Sequence, residues 1–196
     1  MSDFVYNKSE GPHVCSHKIG FILDNWFRRV IQNPKKVVGE YIQKGDTVID
    51  MGCGPGFFSI EMAKMVGGEG RVIAVDLQEQ MLSKVRKKAR KHGTMGQMDF
   101  HQCESDIIGL NVKADFILAY YMIHETPDSG AFLTEMGTML KEKGRLLVVE
   151  PKFHVSQKKF ETLLRKAEKS GLKALAFPKG KGGRSVLLGP LKMNRE

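Results

Sequence analysis

The sequence contains few cysteines, one tryptophan and no long apolar run. Its three cysteines, Cys15, Cys53 and Cys103, are an odd number without paired spacing, so neither a disulfide framework nor a CxxC metal site is expected. No apolar run approaches the roughly 20 residues that a membrane-spanning helix needs. The first residues, M-S-D-F-V-Y-N-K-S-E, lack the charged-then-apolar pattern of a secretory signal. These absences predict a cytoplasmic protein with no metal and no membrane span.

The chain carries a formal charge of +9 that is unevenly distributed. Residues 151–196 contain twelve Lys and Arg against three Glu. The net charge of this region, 12 − 3 = +9, equals the net charge of the whole chain. A second basic cluster lies within residues 84–91. Basic surfaces can attract nucleic acid or anionic membranes. A plain solvated surface is favoured here, and a nucleic-acid partner stays open as the alternative.

A length of 196 residues allows one well-buried domain and is short for two. We therefore expect a single domain over residues 1–196. Within it, residues 1–33 read as an N-terminal arm and residues 34–196 as the core. The arm includes an apolar segment with Phe21, Trp26 and Phe27.

The stretch from residue 47 to residue 63, T-V-I-D-M-G-C-G-P-G-F-F-S-I-E-M-A, organises the rest of the chain. An apolar run ends in Asp50, three glycines follow at alternate positions, and an amphipathic segment then begins. Glycine is needed where the backbone takes a positive φ or lets a ligand approach closely. A loop that feeds a helix N-terminus also points free N–H groups at a ligand. The pattern predicts strand, binding loop and helix.

From residue 46 onward, apolar runs alternate with helical patterns. Five such strands, one further helix and a final hairpin predict a mostly parallel α/β sheet with an antiparallel edge. Residues 141–144 are expected to form a turn before the fifth strand, and residues 35–42 a helix. The seven predicted strands are residues 47–51, 71–76, 98–102, 114–121, 145–150, 172–177 and 185–188.

Two nucleotide-binding patterns compete for the glycine loop, and both fail. A dinucleotide fingerprint, counted from Gly52, needs its third glycine at position 57, where this chain has Phe57. A P-loop needs Gly-Lys-Ser/Thr, which does not occur. What is present is an acid followed by G-x-G-x-G, with a second acid, Asp76, at the end of the second strand.

D-M-G-C-G-P-G-F followed by R-V-I-A-V-D resembles the class I S-adenosylmethionine-dependent methyltransferases. The likeness extends from about residue 34 to residue 188. It implies a Rossmann-like, mostly parallel seven-stranded sheet in the order 3-2-1-4-5-7-6, with the last strand antiparallel, helices on both faces and an N-terminal helical lid. It also implies S-adenosyl-L-methionine as cofactor and S-adenosyl-L-homocysteine as product.

The resemblance also implies a role for each residue of the cofactor site. Asp50 and the loop would face the methionine portion, where a carboxylate attracts the ammonium group. Asp76 would accept hydrogen bonds from both ribose hydroxyls, because a carboxylate offers acceptors only. Leu77 and Met81 would pack on the adenine, and Tyr120 would lie beneath the sulfonium. Glu104 would bind the adenine amino group, and Ser105 would supply the adjacent backbone. The loop residues are Gly52, Cys53, Gly54 and Gly56.

The acceptor side has weaker signals. His124, just after the fourth strand in Y-Y-M-I-H-E, is the candidate general base, and small-molecule members such as quinone-biosynthesis methyltransferases resemble this chain in having a histidine there. A purely structural role for His124 stays open, as it does for Tyr121, the other candidate of the acceptor pocket. The expected reaction is direct in-line methyl transfer to a small apolar or aromatic molecule. An RNA methyltransferase that uses the basic region and a non-catalytic S-adenosylmethionine-binding protein are the alternatives. The acceptor and the oligomeric state are not predicted.

Overall fold

The computed structural model describes residues 33–191. The predicted lid, including Phe21, Trp26 and Phe27, lies outside the described residues. Single-turn 3-10 helices lie at Met95–Gln97 and Ile123–Glu125. The helices are α1 (Pro34–Val38), α2 (Ser59–Val66), α3 (Glu79–His92), α4 (Ser129–Met139) and α5 (Gln157–Lys169). The strands are β1 (Thr47–Met51), β2 (Arg71–Asp76), β3 (Met98–Gln102), β4 (Ala114–Tyr120), β5 (Leu140–Glu150), β6 (Leu172–Ala176) and β7 (Arg184–Pro190).

The strands form one seven-stranded sheet in the order β3-β2-β1-β4-β5-β7-β6. β1 to β5 are parallel, and β7 is antiparallel to both of its neighbours, β5 and β6. Order and direction confirm the predicted fold class. Because β1 to β6 all run in one direction, they all end at the same edge, which we call the carboxyl edge.

Two apolar layers cover the sheet. On one face α1, α2 and α3 pack on side chains such as Val48 and Phe116. On the other face α4 and α5 pack on side chains such as Ile49 and Ile117. Neighbouring residues of a strand point to opposite faces, so a run such as Val48-Ile49 serves both layers, as expected for a parallel sheet buried on both sides. Among residues 33–191, no helix is long and apolar enough to cross a bilayer.

Two predicted elements are wrong. Residues 141–144 do not form a turn before the fifth strand, because β5 already begins at Leu140, which pairs with Ala114. The register then shifts so that Phe116 pairs with Arg145, and the extra residues form an irregularity within the strand. The helix expected over residues 35–42 ends at Val38. Beyond it the chain turns, and the Tyr41 ring stacks on Phe116 at 5.6 Å between centroids.

The C-terminal hairpin is tied to α1 by a buried lysine. Lys181 lies in the loop between β6 and β7 and is only 5% exposed. Its Nζ donates to the carbonyl oxygen of Lys36 at 2.8 Å and to Oε1 of Glu40 at 2.6 Å. The ammonium group also lies 5.1 Å from the centre of the Tyr41 ring. This loop is therefore held over the same face of the sheet as α1 to α3.

Candidate active site

The glycine loop leaves β1 at the carboxyl edge of the sheet. Gly52, Gly54 and Gly56 have φ values of 68°, 51° and 81°, a region that side chains other than glycine rarely adopt. A Cβ at Gly52 would lie 2.8 Å from the Met122 Cβ, so the loop packs directly on the segment that follows β4. A Cβ at Gly54 would have no neighbour within 4 Å among residues 33–191. The loop is thus packed on one side and open beside Gly54.

Asp76, the last residue of β2, holds this loop. Its Oδ2 accepts a hydrogen bond from the Gly54 N–H at 2.8 Å, and its Oδ1 accepts from the Gln78 N–H at 2.9 Å. The carboxyl group is 8% exposed, and burial raises its pKa above the ordinary value. Each carboxylate oxygen can accept two hydrogen bonds, so Oδ1 keeps one acceptor position, whereas the second position of Oδ2 is used by the weakly donating Cys53 thiol at 4.0 Å. Asp76 can therefore bind one further hydroxyl group at Oδ1 and a second at Oδ2 if that hydroxyl replaces the thiol contact.

Asp50 lies deeper, beneath the loop. The Ser59 hydroxyl donates to its Oδ2 at 2.5 Å, which joins the end of β1 to the first residue of α2. Burial raises the Asp50 pKa to about 7, although the hydrogen bond from Ser59 opposes this shift. Asp76 adds repulsion between like charges. A nearby cation would stabilise the ionised form of Asp50.

The other predicted cofactor residues surround the ends of β1 to β3. Cys53 is buried, its N–H donates to the Val75 carbonyl oxygen at 2.9 Å, and its Sγ lies 4.0 Å from Oδ2 of Asp76. Burial raises the Cys53 thiol pKa well above its usual range and so disfavours the thiolate, which is the nucleophilic form. The remaining predicted residues follow β2 and β3: Leu77, Met81, Glu104 and Ser105.

Glu104 and Ser105 are exposed, whereas Met81 is 4% exposed on the first turn of α3. The Cys103 N–H donates to the Asp76 carbonyl oxygen at 3.2 Å, which places the start of the Glu104 segment beside Asp76. The structure therefore brings these predicted residues to one part of the carboxyl edge. Their roles toward the cofactor stay predictions.

Two tyrosines end β4 next to the loop. The Tyr120 ring is buried and lies 4.6 Å from Phe58 and 4.3 Å from Tyr121 between ring centres. The Tyr120 hydroxyl donates to the Lys181 carbonyl oxygen at 3.0 Å, and the Tyr121 hydroxyl donates to that of Gly182 at 2.6 Å. Tyr121 has a φ of 59°, a strained conformation for a residue with a large side chain. The β6–β7 loop is thus fixed to the end of β4.

His124 is paired with a buried acid. Its Nδ1 lies 2.5 Å from Oε2 of Glu150, the last residue of β5, which is 1% exposed. The Ile123 N–H donates to the other Glu150 oxygen at 3.1 Å. The hydrogen bond to Glu150 raises the His124 pKa, and burial opposes this shift only in part. The carboxylate can only accept, so this pairing assigns the ring proton to Nδ1 and leaves Nε2 of the neutral ring as an acceptor.

Glu150 was missed by the sequence analysis. The signal was present, because R-L-L-V-V-E ends an apolar strand in an acid as β1 and β2 end in Asp50 and Asp76. Since parallel strands end at one edge, such an acid faces the binding edge of the sheet. Its pairing with His124, 26 residues away, depends on β4 and β5 being neighbours.

The turn after β5 brings a second histidine near the first. The His154 ring lies 5.7 Å from His124, and the Phe153 ring lies 4.9 Å from His154. The carboxyl group of Glu125 lies nearby with 40% of its side chain exposed, and partial burial raises its pKa. The carboxyl edge therefore has two parts, the acid-lined glycine loop at β1 and β2 and the His124–Glu150 pair at β4 and β5. Met122, in contact with the loop, connects them.

Comparisons with known proteins agree with this arrangement. A family model described as a methyltransferase domain matches residues 42–180. In the solved structures, the chain is similar to a SAM-dependent methyltransferase from Aquifex aeolicus, with a TM-score of 0.78, 27% identity and coverage of 88% of this chain and 97% of that one.

Curated relatives match over shorter regions. The chain is 33% identical over 75 residues to a Saccharolobus solfataricus protein named "Probable cobalt-precorrin-6B C(15)-methyltransferase (decarboxylating)", covering 38% of each. It is 31% identical over 67 residues to a ubiquinone/menaquinone biosynthesis C-methyltransferase of an Enterobacter species, covering 34% of this chain and 27% of that protein. The match thus spans less than half the length of these two relatives.

Proposed function

The chain belongs to the methyltransferase-domain family, and on that premise we propose that it transfers the methyl group of S-adenosylmethionine to a small apolar or aromatic acceptor by direct in-line substitution. The observation that supports this most strongly is the joint placement of the Asp76-bound glycine loop and the His124–Glu150 pair at one edge of the sheet. The glycine loop suits the cofactor of this family, and the His124–Glu150 pair supplies a proton acceptor at the same edge.

The residues at the glycine loop fit the cofactor. Within the described part of the chain, space is open beside the Gly54 backbone, where an added Cβ would meet no atom within 4 Å. Asp76 has a free acceptor position on Oδ1 and only a weak thiol contact at the second position of Oδ2, so its two oxygens can accept from the two hydroxyls of a ribose. Asp50 is buried and repelled by Asp76. A cationic partner, such as the ammonium group of the methionine portion, would stabilise its ionised form. When bound, the cofactor supplies a methyl group on a positively charged sulfur.

The chain contributes alignment, exclusion of water and a base. Holding donor and acceptor in line removes the entropy cost of bringing them together. His124 Nε2 takes the proton that an O–H or acidic C–H acceptor loses as the new bond to methyl forms. Glu150 keeps the ring proton on Nδ1 and stabilises the imidazolium that results. Glu150 thus acts as a positioning residue for His124.

The acceptor class follows from two observations. Aromatic side chains occur on the segments next to the proposed base: Tyr121 directly follows β4, and Phe153 contacts His154, whose ring lies 5.7 Å from His124. One similar protein is named for ubiquinone and menaquinone biosynthesis. A reduced naphthoquinone is therefore a suitable first probe, because it combines an aromatic ring with acidic hydroxyls. The predicted lid over residues 1–33 would add further aromatic surface.

The test uses radiolabelled methyl transfer to a demethylated naphthoquinol. His124→Gln should lower kcat by roughly 10²- to 10⁴-fold, the usual contribution of a general base, without weakening S-adenosylhomocysteine binding. His154→Gln is the matched control, since this exposed neighbour has no contact with Glu150 among the hydrogen bonds of the described residues. It should leave the rate within about threefold, below the range given by general acid–base catalysis.

The pH profile gives a second readout. Because His124 must be neutral to act as base, the wild-type rate rises with pH through a His124 pKa that Glu150 holds above the ordinary value. In Glu150→Gln the pKa of His124 should be lower, so the rise in rate should occur at lower pH. Equal rates and equal profiles in all variants would remove His124 from the mechanism. Cofactor binding without turnover on naphthoquinols or RNA would instead support a non-catalytic binding protein.

A further inference from the structure

Two phenylalanines expose their rings at the carboxyl edge. Phe153, three residues after β5, is 82% exposed, and Phe177, directly after β6, is 58% exposed. β5 and β6 are both antiparallel to β7, so both residues follow strand ends at the same edge. Single exposed apolar residues are common, but two aromatic rings on neighbouring segments beside a binding site indicate an interaction surface.

The segments that carry the two rings are both held by the start of β7. Arg184, at the start of β7, pairs with Glu150 at the end of β5. The Nε of Arg184 donates to the Val155 carbonyl oxygen at 3.1 Å and so fixes the turn of Phe153 to the hairpin. The Ser185 hydroxyl donates to the carbonyl oxygen of Pro178, next to Phe177. We call the surface formed by Phe153 and Phe177 the phenylalanine rim.

Basic residues flank the phenylalanine rim. Residues 151–184 contain ten Lys and Arg and two Glu, so 10 − 2 = +8, and of these cations Lys181 is buried and paired with Glu40. Among the exposed lysines, Lys152 is adjacent to Phe153 and Lys179 lies two residues after Phe177. Exposed aromatic rings within a cluster of lysines match the surface of an anionic bilayer, where rings enter the interface and ammonium groups meet lipid phosphates.

The phenylalanine rim also lies beside the proposed acceptor site. Phe153 contacts His154, which is next to His124. We propose that the carboxyl edge docks on an anionic membrane surface through the phenylalanine rim and its lysines. An acceptor dissolved in the lipid would then reach His124 without crossing water. This goes beyond the proposed function, because membrane docking requires neither cofactor nor turnover.

The experiment is co-sedimentation of the full chain with vesicles of phosphatidylcholine alone and of phosphatidylcholine with 30% phosphatidylglycerol. The wild type should bind the anionic vesicles only, and binding should weaken as salt rises, because salt screens charges. The double variant Phe153→Ser, Phe177→Ser should bind at least tenfold more weakly. Phe153→Leu, Phe177→Leu keeps the apolar bulk and should retain binding within about threefold, since interfacial binding scales with apolar area.

Matched controls separate the rim from general charge. Lys152→Glu, Lys179→Glu should abolish binding, whereas Lys87→Glu, Lys91→Glu on α3 changes the net charge equally and should have little effect. Leu191→Ser removes an exposed apolar residue beyond the opposite end of β7 and should also have little effect. Circular dichroism and S-adenosylhomocysteine affinity establish that each variant is folded.

Three results would overturn the proposal. The first is no binding of the wild type to anionic vesicles, and the second is equal loss in the rim and control variants. The third is tight binding of a 20-nucleotide RNA that the lysine variant loses and the serine variant keeps, together with no vesicle binding. That pattern would assign the basic region to nucleic acid.

Discussion

Replacing Asp76 by asparagine should weaken cofactor binding while leaving the fold intact. In the structure each Asp76 oxygen accepts one backbone N–H, from Gly54 at 2.8 Å and Gln78 at 2.9 Å. Oδ1 keeps one acceptor position, and the second position of Oδ2 has only the weak contact with the Cys53 thiol. Asparagine retains one oxygen, but its amide nitrogen can only donate. One charge-assisted hydrogen bond to the ribose is lost, worth about 1.5–3 kcal/mol, so the dissociation constant should rise roughly 10- to 150-fold.

Isothermal titration with S-adenosylhomocysteine measures this directly. Asp99→Asn is the matched control, because Asp99 is an exposed acid on β3 whose carboxylate faces Arg71 at 3.3 Å. Its affinity should equal that of the wild type. Unchanged affinity in Asp76→Asn, with the control also unchanged, would refute the assignment of Asp76 to the ribose.

The pH dependence gives an independent check on the same residue. Burial raises the Asp76 pKa above the ordinary aspartate value. The ionised form is the one that accepts hydrogen bonds at both oxygens, so affinity is present above that raised pKa and declines as pH falls through it. The decline should begin at a higher pH than for an exposed aspartate. In Asp76→Asn this part of the pH dependence should be absent.

Two further substitutions test the buried parts of the site. Asp50→Asn should stabilise the cofactor-free protein at pH 8, because a carboxyl with a pKa of about 7 in place of 3.8 loses up to about 4 kcal/mol on ionising in the fold. Urea unfolding should show this gain at pH 8 and a smaller one at pH 5, where the folded-state carboxyl is protonated; a wild type more stable at pH 8 would contradict the burial argument. Gly54→Ala should cost about 1 kcal/mol of stability for its positive φ, as measured by urea unfolding. It should also weaken S-adenosylhomocysteine binding, because the added methyl group enters the open space; unchanged affinity would place the cofactor elsewhere.

The strands could be predicted because their signals are local. β1 and β2 are short apolar runs that end in an acid and a turn, and their bounds agree with the prediction. The glycine spacing and Asp76 identified the cofactor class for the same reason, since all of these residues lie within 27 positions. Hydrophobic patterning and glycine placement thus determine most of this fold.

Features that depend on distant pairing could not be predicted. Leu140 starts β5 because Ala114 is there to pair with it, and a run of polar residues after it gives no local sign of a strand. Likewise, no residue adjacent to His124 in the sequence indicates that Glu150 will form a hydrogen bond with its ring. The positive φ of Tyr121 was also missed, because a tyrosine gives no local signal for that conformation. The region around His124 and Tyr121 depends on such pairings, so its structure is the part that the sequence predicts least well.

The contacts of Lys181 determine when the acceptor side can be completed during synthesis on the ribosome. They join residues 141 and 145 positions apart, and the Tyr120 hydroxyl also bonds this loop. β7, which inserts between β5 and β6, is the last of the described strands to leave the exit tunnel. A nascent chain that already contains β1 to β5 can form the glycine loop but not the fixed tyrosines. The glycine loop is therefore assembled first, and the contacts that fix Tyr120 and Tyr121 form only after the β6–β7 loop has been synthesised.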